Sequence, residues 1–100
     1  MTKTCNSAMN LNLQGKTAII GGSSKGLGKA CAVALAREGV NIVLCARNCD
    51  TLRQTHIEIE KIGAQVLAFE ADMSKAEDNE LIVSETVKRF GGVDILINNS

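Results

Sequence analysis

Four short apolar runs alternate with three stretches of helical periodicity, and this alternation limits the folds open to the chain. The runs are "GKTAII" (Gly15–Ile20), "VNIVLCA" (Val40–Ala46), "QVLAFEA" (Gln65–Ala71) and "VDILIN" (Val93–Asn98). They read as strands, and the second is so continuously β-branched that it predicts burial on both faces. Between them, three apolar faces recur at helical spacing: Leu27, Ala30, Cys31, Ala34 and Leu35; then Leu52, Thr55, His56, Ile59 and Ile62; then Leu81, Ile82, Val87 and Phe90. Gly39, Gly63 and Gly91 follow as stops. Asp50 is the expected N-cap of the second helix, and Ser74 with Glu77 predicts a capping box for the third. A β-α-β-α-β-α-β order with short connections implies an α/β fold, a doubly wound parallel sheet with helices on both faces. Right-handed crossovers leave few ways to connect it.

One hundred residues support one domain at most. With 45% hydrophobic and 22% charged residues, the chain has enough apolar surface for a core. The reading divides it into a leader, residues 1–14, and a folding unit, residues 15–100. The formal net charge is zero, which removes the electrostatic case for a nucleic-acid partner. No secretory h-region or membrane-length apolar span occurs, so a cytoplasmic protein is expected. Cys45, Cys49 and His56 match no standard zinc spacing, and Cys31 and Cys45 read as small core residues.

The first strand runs into "GGSSKGLG" (Gly21–Gly28). Glycines at Gly22, Gly26 and Gly28 allow a sharp strand-to-helix turn and let backbone approach a phosphate without a Cβ between them. The following helix N-terminus offers unpaired N–H groups and the positive end of a dipole. Ser23 and Ser24 add hydroxyl donors, and Gly28 lets the first helix lie close to the sheet. No Gly-Lys-Ser/Thr follows, which argues against a mononucleotide P-loop. In this context the loop predicts dinucleotide binding, and with it a Rossmann-type strand order of 3-2-1-4.

At the end of the second strand, a site for NAD places Asp or Glu on the ribose 2′-hydroxyl. Here the chain reads Ala46-Arg47. The acid that would repel a 2′-phosphate is absent, and Arg47 supplies a cation, with Lys25 in the glycine loop as a second. Each charge-assisted hydrogen bond is worth about 1.5–3 kcal/mol. Two give a preference on the order of a hundredfold or more, so NADP(H) is expected over NAD(H).

Together these residues resemble the short-chain dehydrogenase/reductase family. Its T-G-x-x-x-G-x-G motif appears as "GGSSKGLG", including Leu27 before the last glycine. Its basic residue before the second glycine is matched by Lys25, and its NADP-type arginine by Arg47. The family's aspartate that binds the adenine edge, with the main chain after it, matches Asp72 and Met73. Its N-N-A-G turn begins as "NNS", Asn98–Ser100, where Asn98 would hold the sheet beside the adenine ribose. Phrases such as "LQGKTAII" and "LCARN" are similar to the branch containing 3-oxoacyl-acyl-carrier-protein reductases. Gly21 departs from the usual Thr and Ser100 from the usual Ala.

The resemblance implies hydride transfer between NADP(H) and a carbonyl or alcohol, with 3-oxoacyl thioesters as the first substrate class. It also implies a homo-oligomer, tetramer or dimer, for the full-length protein. The family's catalytic Asn, Ser, Tyr and Lys lie beyond its N-N-A-G turn. This chain has no tyrosine at all, so no catalytic residue is assigned in it. It therefore reads as the cofactor-binding N-terminal part of a longer enzyme, inactive alone, with a non-catalytic NADP-binding protein or an inactive truncated fragment as the alternative. The fourth strand then leaves an apolar sheet edge open. The isolated chain is expected to be marginally stable or self-associating. Sedimentation and thermal melting check this, and a monodisperse monomer with a sharp transition is the contrary result.

Overall fold

The computed structural model describes residues 13–22 and 26–98. Seven elements follow in order: β1 (Thr17–Gly21), α1 (Gly26–Arg37), β2 (Asn41–Ala46), α2 (Cys49–Ile62), β3 (Val66–Glu70), α3 (Ala76–Phe90) and β4 (Ile95–Asn98). The strands form one sheet in the order β3-β2-β1-β4, and every pairing is parallel. The predicted α/β class, Rossmann-type topology and 3-2-1-4 order are what the chain adopts.

The strands alternate side chains between two cores, as their period of two demands. Ala18 and Ile20 of β1 join Ile42, Leu44 and Ala46 of β2 in a core shared with α1 and α2. Ile19, Val43 and Cys45 point the other way, into a smaller core with Met73 and with Ile82 of α3. β1 is buried at every position. At its start, Thr17 N–H donates to Asp94 Oδ2 and Asp94 N–H donates to the Thr17 carbonyl, both at 2.9 Å. This pair joins β1 to the approach to β4. Leu13 packs against the larger core, and Gly15 N–H bonds to the Gly39 carbonyl.

The predicted helix faces need correction. In α1 the buried residues are Gly28, Ala32 and Ala36. Ala30 and Ala34 are exposed, and Leu27 is 69% exposed. Close approach of helix to sheet selects the small residues; of the two leucines, Leu35 packs at the edge of the larger core and Leu27 sits at the helix start, outside the contact. In α3, Ile82 and Thr86 are buried, while Leu81 and Val87 are exposed. Thr86 is tolerated inside because its hydroxyl donates to the Ile82 carbonyl at 2.7 Å. In α2, Leu52, Thr55 and Ile59 are buried as predicted.

Two caps also differ. The N-cap of α2 is Asn48, whose side chain accepts the Thr51 N–H at 3.2 Å. Asp50 lies inside the first turn, where its charge still favours the dipole. α3 has no capping box: the helix starts one residue later than predicted, so its N-cap is Lys75, without a side-chain cap bond. Gly63 and Gly91 close α2 and α3 in left-handed conformation, as predicted.

The buried stripe of α1 makes a direct test. Ala32→Leu overfills a close contact and is expected to cost about 1–3 kcal/mol in urea unfolding. Leu27→Ala, on the exposed side, is expected to cost about 0.5 kcal/mol or less.

Candidate functional site

Parallel strands end on the same side of a sheet, so the residues that leave β1, β2 and β3 come together. There a cleft of about 230 Å³ is lined by Gly22 after β1, Ala46 and Arg47 at the end of β2, and Ala71–Ser74 after β3. Gly22 N–H donates to the Cys45 carbonyl at 2.8 Å, and Ala71 N–H to the Ala46 carbonyl at 3.0 Å. The sheet bonding therefore continues to the cleft wall.

Gly22 has φ 69° and Gly26 φ 66°. Both are left-handed, which a side chain resists by roughly 1–2 kcal/mol. Glycine at these two positions turns the chain from β1 into α1. Ser23, Ser24 and Lys25 lie outside the described residues, as do Asn99 and Ser100. Gly26 and Leu27 are exposed at the start of α1, while Gly28 is buried. None of these three lines the cleft.

Arg47 is exposed, and its charge acts on Asp72 across the cleft. The Asp72 carboxyl is held below the usual carboxylate range. The leading cause is the Ser74 hydroxyl, which donates to Oδ1 at 2.6 Å, followed by the Ser74 N–H to the same oxygen at 2.9 Å. Arg47 and Lys75 add smaller contributions. Asp72 is therefore an ionised acceptor near neutral pH. Its Oδ2 takes part in no hydrogen bond among the described residues.

Met73 is buried below the cleft floor. A Cβ at Gly21 would stand 3.0 Å from Met73 Cγ and 3.3 Å from Asn98 Oδ1. Glycine at this position leaves room for both side chains, and a Cβ there would require one of them to shift. Asn98, paired in register with Gly21, lies beside the cleft at the end of β4. The Cys45 thiol faces the smaller core, and burial pushes it up to about 12, so it supplies no nucleophilic thiolate at neutral pH.

The residue pattern did not reveal how Asp72 and Met73 are held. Asp72 N–H donates to Asp78 Oδ2 at 2.9 Å, and Asn79 Nδ2 donates to the Met73 carbonyl at 2.8 Å. Both partners lie in the first turns of α3, and two polar residues there were the sole signal. Among the described residues, no group of three or more His, Cys, Asp or Glu could hold a metal ion. No helix among them is long and apolar enough to cross a membrane.

Comparison with known proteins is decisive at the family level. A short chain dehydrogenase model matches residues 16–100. The chain belongs to the short-chain dehydrogenase family. It is 45% identical over 85 residues to a diacetyl reductase [(S)-acetoin forming] from Staphylococcus epidermidis, covering 85% of this chain and 33% of that protein. L-sorbose reductase from Gluconobacter frateurii, solved in complex with NADPH and L-sorbose, superposes with a TM-score of 0.85 at 41% identity. That match covers 92% of this chain and 35% of the reductase. NAD+-bound xylitol dehydrogenase matches with a TM-score of 0.84 at 28% identity, covering 89% and 34% of the two chains. The short-chain dehydrogenase chain described here thus spans about a third of the length of these relatives.

The Asp72–Ser74 bonds set an expectation for pH. A depressed carboxyl pKa stabilises the fold above the unfolded value of about 3.9, and the gain is lost as pH falls through the folded value. Ser74→Ala removes the larger bond and keeps the N–H. The Asp72 midpoint, followed by carboxyl NMR, is expected to rise toward about 3.9 without fully reaching it.

Proposed function

We propose that this chain forms the adenosine-phosphate-binding part of an NADP(H)-dependent oxidoreductase acting on ketones and secondary alcohols. The observation that carries the cofactor assignment is Arg47 at the rim of the cleft, where an NAD-selective site would place an acid. The relatives support a nicotinamide cofactor, one being an NADPH complex and another NAD+-bound. They leave the choice of phosphate to this chain's own residues.

In this reading, Arg47 and Lys25 hold the 2′-phosphate. The turn around Gly22, Ser23, Ser24, Gly26, Leu27 and Gly28 faces the pyrophosphate with N–H and hydroxyl donors. Asp72 accepts from the adenine amino group beside the Met73 main chain, and Asn98 borders the ribose. The left-handed turn, the Cβ-free position at Gly21 and the ionised Asp72 fit such a ligand. When bound, the nicotinamide supplies a hydride to a carbonyl carbon or takes one from a carbinol carbon. The group that moves the proton on the substrate oxygen we assign to the part of the relatives' length that this chain does not span.

The substrate is proposed at the level of ketone or secondary alcohol. The relatives described above are named for a diketone, a sugar and a polyol, and a 3-oxoacyl thioester belongs to the same reaction class. We further propose a cytoplasmic homo-oligomer for the full-length protein. The absence of tyrosine favours one second reading, in which the chain by itself binds the dinucleotide without turnover.

Calorimetric titration with NADP+ and NAD+ tests the assignment. Arg47→Ala and Lys25→Ala are each expected to weaken NADP+ binding about tenfold or more and to spare NAD+. Equal losses for both cofactors would refute the 2′-phosphate role.

A further inference from the structure

We propose that Asp78 and Asn79 are positioning residues for base selection, pinning Asp72–Met73 so that the cleft prefers adenine to a base lacking the 6-amino group. This rests on the dinucleotide reading above. The bonds from α3 grip the segment at both ends: Asp78 Oδ2 takes the N–H of Asp72, and Asn79 Nδ2 takes the carbonyl of Met73. The buried Met73 side chain is a third anchor. Asp72 Oδ1 is occupied twice by Ser74. Among the described residues, this leaves Asp72 Oδ2 and the Met73 N–H as the polar groups of this segment outside any hydrogen bond.

These two groups are an acceptor next to a donor. The Watson–Crick edge of adenine offers the matching pair, a 6-amino donor next to the N1 acceptor. Hypoxanthine inverts both, with a 6-oxo acceptor next to an N1–H donor. A fixed Asp72–Met73 segment therefore attracts one base and opposes the other. A segment free to turn about its φ and ψ bonds discriminates poorly between the two, because donor and acceptor no longer keep their spacing. Asp78 and Asn79 act through Asp72 and Met73, not on the base.

The test is calorimetric titration of the chain with NADP+ and with nicotinamide hypoxanthine dinucleotide phosphate. The wild type is expected to favour NADP+. Asp78→Asn keeps an acceptor oxygen and is expected to keep that ratio, as is Glu80→Ala, an exposed change on the same helix. Asp78→Ala and Asn79→Ala are expected to lower the ratio about three- to tenfold, with affinity for the hypoxanthine analogue held. Circular dichroism checks the fold of each, and either alanine variant suffices if the other does not fold. Variants that weaken both dinucleotides equally, or neither, overturn the proposal, as does a wild type that binds both equally well while the dinucleotide reading stands. A wild type that binds neither overturns that reading and this proposal with it.

Discussion

The arrangement depends on β1 being hydrogen-bonded on both sides by parallel neighbours. Its five residues are buried, with Ile19 turned to one core and Ala18 and Ile20 to the other. A strand in this position has no face or edge for water, so its side chains are apolar or, like Thr17, hydrogen-bonded within the protein, and its neighbours must be present. Because all pairings are parallel, the strand ends that follow gather at one rim. In open α/β sheets ligands bind outside the carboxyl ends of the strands, and this geometry is the reason.

At that rim, backbone does much of the chemical work. Left-handed glycines turn the chain, and main-chain bonds carry the sheet to the edge of the cleft. Gly21 shows how one position couples packing to the site. Its missing side chain is the space in which Met73 and Asn98 meet. Met73 thus anchors the smaller core and places its neighbour Asp72 at the cleft. Ser74 then fixes the charge of that carboxylate, with Arg47 opposite. Packing and electrostatics meet within three consecutive residues.

Much of this was legible from residue pattern. The strand–helix alternation gave the topology because each apolar run was short and glycine-bounded. The Arg47 and Asp72 positions could be read because they stand at strand ends. Helix faces were less legible: in α1, hydrophobicity ranks Leu27 above Gly28 and Ala32, but close packing on a sheet rewards small volume. The capping box failed because the helix begins one residue later than the motif requires, with Lys75 and not Ser74 at the N-cap, while Ser74 turns back to bond Asp72. Asp78 and Asn79 escaped notice because their partners are main-chain atoms, which every residue carries.

The placement of β1 also has a consequence in time. Its partner β2 begins with Asn41, 24 positions after Thr17, but Asp94, which caps its other side, is 77 positions away. During synthesis at about 5–20 residues per second, the central strand waits several seconds with one edge unpaired while the helices between are made. Loop-closure entropy makes the late contact slow to find. Ile19 and Ile20 then sit on a strand with an open edge that a chaperone or another nascent chain can pair with, so residues fully hidden in the finished fold are exposed in the making.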